Sequence, residues 1–196
     1  MTRVIAGAAR GRRLAVPPGR LTRPTSDRAR EGLFSTLTAI RGPLAGARVL
    51  DLYAGSGAVG LEALSRGAAR VLFVEADPGA ARVIRGNLAA VGLPGGLLVT
   101  GRVERVLARG PDGEPGYDLV VADPPYAAAG DDVTAMLAAL RDRSWLAPGA
   151  VVAVERASRS EPVCWPPGYA PDRSRRYGEA TFWYGLAAGN QAPDGL

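Results

Sequence analysis

Between residues 47 and 155, short apolar runs alternate with stretches of helical periodicity. The runs are 47–52, 71–75, 97–100, 117–122 and 150–155. The apolar-rich ones lack strict in-out alternation, the pattern of strands buried on both faces of a parallel sheet. Helices are predicted near 58–66, 78–91, 103–109 and 131–142. Strand-helix repetition of this kind predicts an α/β fold with a doubly wound, mostly parallel sheet and right-handed crossovers.

The flanks read differently. Residues 3–23 look extended and turn-broken, punctuated by Pro17, Pro18 and Gly19. Ser26 or Asp27 is placed to cap a helix running to about Ile40, with Leu33, Phe34 and Leu37 on one face. Residues 110–116 form a turn-rich connector, and 180–185 read as a strand of aromatic and β-branched residues. The chain therefore divides into an N-terminal extension at 1–45, an α/β domain at 46–186 and a frayed tail at 187–196. No internal repeat is found.

Composition removes whole classes of chemistry. With no histidine, a His general base, a catalytic triad and a His-ligated metal are impossible. Cys164 is the only cysteine, so neither a disulfide nor a multi-thiolate zinc site forms within the chain, and no metal is expected. In Val163-Cys164-Trp165 it reads as an inert strand or core residue. No apolar run approaches membrane-spanning length, and a cytoplasmic location is expected.

All 24 basic residues are arginine. Residues 1–48 hold ten of them against Asp27 and Glu31, a net of +8, while the remaining 148 residues carry a net of −3. A basic front on a slightly acidic body suggests a footprint for a phosphate backbone. Arg10, Arg12, Arg13, Arg23, Arg28 and Arg30 are the expected phosphate contacts. Arg28 and Arg30 lie near acids of their own helix and fit a partly structural role as well.

The segment Asp51-Leu52-Tyr53-Ala54-Gly55-Ser56-Gly57-Ala58-Val59-Gly60 follows the first run and opens a helix. Glycines let a backbone approach a ligand, and a helix N-terminus offers free N–H groups. Gly55, Gly57 and Gly60 match a dinucleotide fingerprint, and Glu75 stands where a carboxylate grips ribose hydroxyls. A nicotinamide cofactor is thus one reading. Asp51 favours another, because a carboxylate there repels pyrophosphate and attracts the ammonium of S-adenosylmethionine. The expected cofactor cradle is Asp51, Tyr53, Ala54, Gly55, Gly57, Glu75, Ala76 and Val103. Where an acid or amide often holds adenine, this chain has Arg102-Val103, so a backbone N–H near Val103 is expected to serve instead.

Asp123-Pro124-Pro125-Tyr126 directly follows the fourth run, where doubly wound folds place their sites. A base amine is a poor nucleophile because its lone pair is delocalised. Asp123 and the Pro124 carbonyl can each accept one of its N–H groups, favouring a more nucleophilic nitrogen. Tyr126 offers a face on which an extruded base stacks, and Pro125 completes the turn.

With these motifs the chain resembles the RsmD family of bacterial 16S rRNA guanine-N2 methyltransferases. The likeness rests on Arg10-Gly11-Arg12-Arg13-Leu14, Arg23-Pro24-Thr25-Ser26-Asp27-Arg28, Arg30-Glu31-Gly32-Leu33-Phe34, the 51–68 segment and Asp123–Tyr126. The resemblance implies a seven-stranded methyltransferase sheet and methylation of one guanine N2 in small-subunit rRNA. It also implies a monomer acting on 16S rRNA or an assembled small ribosomal subunit. The residues themselves leave open a DNA adenine-N6 methyltransferase, or an RNA-binding module with a relict cofactor fold.

Overall fold

The computed structural model describes residues 2–18, 26–111, 113–125 and 128–188. The chain opens with a small antiparallel hairpin, β1 (Thr2–Arg3) against β2 (Arg13–Leu14). Helix α1 (Asp27–Arg41) follows, with Ser26 Oγ accepting the Ala29 N–H at 3.2 Å as its N-cap. The core then alternates: β3 (Arg48–Leu52), α2 (Ala58–Ser65), β4 (Arg70–Glu75), α3 (Pro78–Val91), β5 (Gly96–Thr100), α4 (Val103–Arg109), β6 (Tyr117–Ala122), α5 (Gly130–Asp142) and β7 (Leu146–Ala157). Two further strands, β8 (Tyr169–Tyr177) and β9 (Ala180–Ala187), close the sheet.

The seven strands lie in the order β5-β4-β3-β6-β7-β9-β8. The first five are parallel to one another, and β9 runs antiparallel to both β7 and β8. This is the doubly wound, mostly parallel sheet expected from the strand-helix repetition, with the seven strands that the family resemblance implies. The order reverses between β3 and β6, which opens a crevice at their carboxyl ends.

Strand alternation sorts the core into two layers. Odd-numbered positions such as Val49, Val71, Phe73, Leu119, Val121 and Ala153 pack with Leu33, Phe34 and Leu37 of α1, Leu61 of α2 and Ile84 of α3. Even-numbered positions such as Leu50, Leu72, Val120 and Val152 pack with Leu107 of α4 and Leu137 and Leu140 of α5. Both layers exclude water, which explains why the central strands read as unbroken apolar runs.

The boundary expected at residue 45 does not separate two cores. Val4, Ala9 and Leu14 of the N-terminal segment share one cluster with α1 and the sheet. The segment is fastened by side chains of α2. The fully buried Glu62 carboxylate accepts the N–H groups of Ile5 at 2.7 Å and Ala6 at 3.0 Å. Ser65 Oγ accepts the Ala9 N–H at 2.9 Å and donates to the Ala6 carbonyl.

Arg30 belongs to this fastening, which corrects its expected role as an RNA contact. Its side chain is fully buried, donates to Thr2 Oγ1 and the Arg3 carbonyl, and pairs with Asp27 at 3.0 Å. Glu62 lies 3.9 Å from its Nε. A guanidinium held among these partners cannot reach a phosphate backbone.

Two other sequence readings change. Strand β8 was not foreseen, because its sequence is mostly polar and its residues mostly exposed. It is an edge strand paired on one side only, and its arginines blunt that edge against unwanted pairing. Cys164 is exposed in the connection before β8 rather than packed in a strand or core.

Candidate active site

The loop between β3 and α2 takes its shape from residues in the left-handed region. Gly55 has φ 58° and Gly57, the residue before α2, has φ 77°. Tyr53, a non-glycine residue, is held at φ 60°. Side chains rarely adopt such backbone, and its persistence beside a cleft points to a loop over-determined by its neighbours. Gly60 answers a different need: a Cβ there would overlap the Phe73 ring of β4, so only glycine lets α2 lie close on the sheet.

Two carboxylates fix this loop. Asp51 Oδ2 accepts the Gly60 N–H at 2.9 Å, and Glu75 Oε2 accepts the Gly55 N–H at 2.7 Å. Glu75 Oε1 accepts the Asp77 N–H at 2.8 Å, and Asp77 in turn caps α3 through the Ala80 N–H. Asp51 and Glu75 are each 3% exposed. Burial, aided by the nearby Glu75 charge, pushes the Asp51 carboxyl up to about 8, against the opposing pull of the Gly60 N–H.

A cleft of about 400 Å³ opens along this row, a size suited to a nucleoside-type ligand. Asp51, Tyr53, Ala54, Gly55, Glu75, Ala76 and Val103 all line it, as do Asp123, Pro124 and Pro125. The glycine loop and the turn at Asp123–Pro125 therefore face one space. Gly57 does not line the cleft and acts through its backbone conformation alone. Tyr126 and Arg23 lie outside the described residues.

Strand register explains the convergence. Leu52 pairs with Ala122, and Ala122 with Val154, so Tyr53, Asp123 and Glu155 stand at the next step of three adjacent strands. Asp123 and Glu155 both line the cleft with Asp51, whereas the Tyr53 ring packs against the even-numbered layer. The Asp123 N–H donates to the Leu52 carbonyl at 3.3 Å, which holds the start of the Asp123–Pro125 turn against β3.

The cleft also includes residues the sequence reading did not single out. Val16 and Pro17 of the N-terminal segment form part of its wall, so that segment helps build the site. Glu104 lines the cleft and accepts a hydrogen bond from the Tyr53 hydroxyl. Burial and the charges of Glu104 and Asp132 push that phenol up to about 12. An acid is thus present in the α4 wall, two residues beyond exposed Arg102, which pairs with Glu104 at 3.5 Å. Glu155, at 8% exposure, is the second carboxylate of the register row, beside Asp123. Its signal in the sequence was an acid closing the fifth apolar run.

Arg10, Arg12 and Arg13 are exposed on the hairpin, away from the cleft, and Arg28 is exposed on α1. Arg3 stands opposite Arg13 in the hairpin register, so these two exposed arginines are cross-strand neighbours. Among the described residues, no group of potential ligands is placed to hold a metal ion, and no helix is long and apolar enough to cross a membrane.

Comparison with known proteins places this arrangement. Residues 2–185 match the family model described as Conserved hypothetical protein 95. The chain is 35% identical over 180 residues to ribosomal RNA small subunit methyltransferase D of Escherichia coli, covering 92% of this chain and 87% of that protein. It is 31% identical over 181 residues to the protein of the same name from Haemophilus influenzae, covering 92% and 91%. The solved structure of yhhF from Escherichia coli superposes with a TM-score of 0.81 at 32% identity, over 96% of this chain and 98% of that one. By sequence along nearly its whole length, and by fold, the chain belongs to the RsmD family, whose model is described as Conserved hypothetical protein 95.

Proposed function

We propose that this protein is a 16S rRNA methyltransferase that transfers a methyl group from S-adenosylmethionine to the exocyclic N2 of a guanine in the small ribosomal subunit. The observation that carries the reading is the single cleft shared by Asp51, Glu75 and Asp123 at the carboxyl ends of three neighbouring strands. The family relatives named as small-subunit rRNA methyltransferases support the choice of substrate.

The residues present fit the cofactor. Asp51 is a buried carboxylate whose ionisation is suppressed by burial, so it gains most from a ligand cation such as an amino-acid ammonium. Glu75, oriented by the Gly55 and Asp77 N–H groups, lines the cleft at the end of β4, where it meets the ribose hydroxyls. Val103, the first residue of α4, offers a backbone N–H to the adenine edge, and Tyr53, Ala54, Gly55 and Ala76 close around the ligand. S-adenosylmethionine bound there supplies an electrophilic methyl group on a sulfonium.

The protein's own task is then to prepare the amine. Asp123 accepts one N–H of the guanine amino group and the Pro124 carbonyl accepts the other, which localises the nitrogen lone pair and aims it. Pro125 fixes the turn, and Tyr126 stacks on the extruded base. Arg10, Arg12, Arg13, Arg23 and Arg28 contact RNA phosphates and orient the substrate without reading its sequence.

Incubation with methyl-labelled S-adenosylmethionine and small subunits, free rRNA or duplex DNA tests the proposal. Label in the rRNA is expected. Label confined to DNA adenines would favour the adenine-N6 reading, and cofactor binding without any transfer would favour a relict fold.

A further inference from the structure

We infer that Glu155 forms a guanine-selective subsite, accepting the N1–H of the target base while Asp123 holds its N2 amine. The inference rests on the methyltransferase reading and specifies how that site chooses its base. The register puts Glu155 on β7 one strand from Asp123 on the same step, a separation of about 4.8 Å between backbones. Both side chains belong to the odd-numbered face and both line the cleft. A smaller hollow beside it is lined by Asp123, Pro124, Glu155, Arg156, Ala157 and Ser160. The strand ends thus bring two carboxylate residues to neighbouring positions on one cleft wall.

The chemistry of the purines selects among bases. Guanine carries adjacent donors on its Watson–Crick edge, N1–H and the N2 amine, and a pair of neighbouring carboxylates complements them. Adenine turned into the same place offers an N1 lone pair and no amine at C2. Its N1 would face the Glu155 carboxylate, acceptor against acceptor, which is costly at a group only 8% exposed. Asp123 and Pro124 alone are indifferent to this distinction, since both accept from any exocyclic amine. Glu155 supplies the discrimination the tetrapeptide lacks.

The test uses small subunits reconstituted with RNA in which the methylated guanosine is replaced by 2-aminopurine. That base keeps the 2-amino group but has an acceptor at N1. The wild-type protein should favour guanine by at least ~100-fold in kcat/KM, as sites built to bond a substrate N–H do. In Glu155→Gln the side-chain amide can donate to N1, so the preference should narrow by about tenfold or more while cofactor affinity holds. Comparable wild-type rates on the two bases would overturn the inference without any variant. So would an unchanged guanine preference in a folded Glu155→Gln protein, whatever its absolute rate. If the wild-type protein methylates no guanine at all, the underlying methyltransferase reading fails and this one falls with it.

Discussion

Glu75 Oε2 accepts a hydrogen bond from the Gly55 backbone N–H at 2.7 Å, so the end of β4 and the glycine loop are set by one carboxylate. In the proposed site the same group receives the cofactor ribose. Replacing it by alanine should weaken S-adenosylmethionine binding by about 1–3 kcal/mol, the usual loss for a charge-assisted hydrogen bond. Titration calorimetry measures this. Affinity unchanged in Glu75→Ala would remove Glu75 from the ribose site.

Asp51 gives the cofactor site a pH signature. Its carboxyl titrates ordinarily at 3.8 and in the fold at about 8, so between these values the folded state holds the extra proton. The stability Asp51 contributes is full below the unfolded value and is lost as pH rises through the window towards about 8. Asp51→Asn should flatten that decline in urea unfolding measured from pH 5 to 8.5. A ligand ammonium favours the ionised form, so cofactor binding at pH 7 should release a proton and tighten as pH rises. Calorimetry in buffers of different ionisation enthalpy detects the proton, and its absence would count against an ammonium partner.

Arg30 should behave as a structural residue. Truncation to alanine leaves Glu62 and the Thr2–Arg3 strand without their shared cation, and breaking a buried pair costs about 3–5 kcal/mol. Urea unfolding of Arg30→Ala reports the loss. Full stability together with weakened RNA binding would return Arg30 to the RNA surface.

The exposed hairpin makes the opposite prediction. Replacing Arg10, Arg12 and Arg13 together should weaken RNA binding and flatten its salt dependence. The slope of log affinity against log salt should fall by roughly 0.7–0.9 per lost phosphate contact. Cofactor affinity should stay as it was, because the three side chains lie outside the cleft. A parent-like affinity and slope would make the hairpin a solvated face.

How much of this was readable beforehand depends on what each residue's environment shares with its sequence neighbours. The five parallel strands and the helices between them were legible because both sheet faces are buried, and α3 and α4 fall at the very residues predicted. Strand β8 was not, since Tyr169–Tyr177 is a mostly polar edge held by pairing with β9 rather than by its own apolar pattern. Asp51, Glu75 and Asp123 could be picked out because each sits at a fixed offset from a strand end. Val16 and Pro17 could not, because their place on the cleft depends on Glu62 and Ser65 fastening a distant segment. Arg30 was misplaced for the same reason, its partners lying 25 or more residues away except for Asp27.

The most direct measurement is nucleoside analysis of small-subunit rRNA after incubation with S-adenosylmethionine and either the wild-type protein or Asp123→Ala. The account predicts one N2-methylguanosine per subunit from the wild-type protein. It predicts none from the variant, which should still bind cofactor within a few-fold of the parent. N6-methyladenosine in place of N2-methylguanosine, or near-full activity of Asp123→Ala, would contradict it.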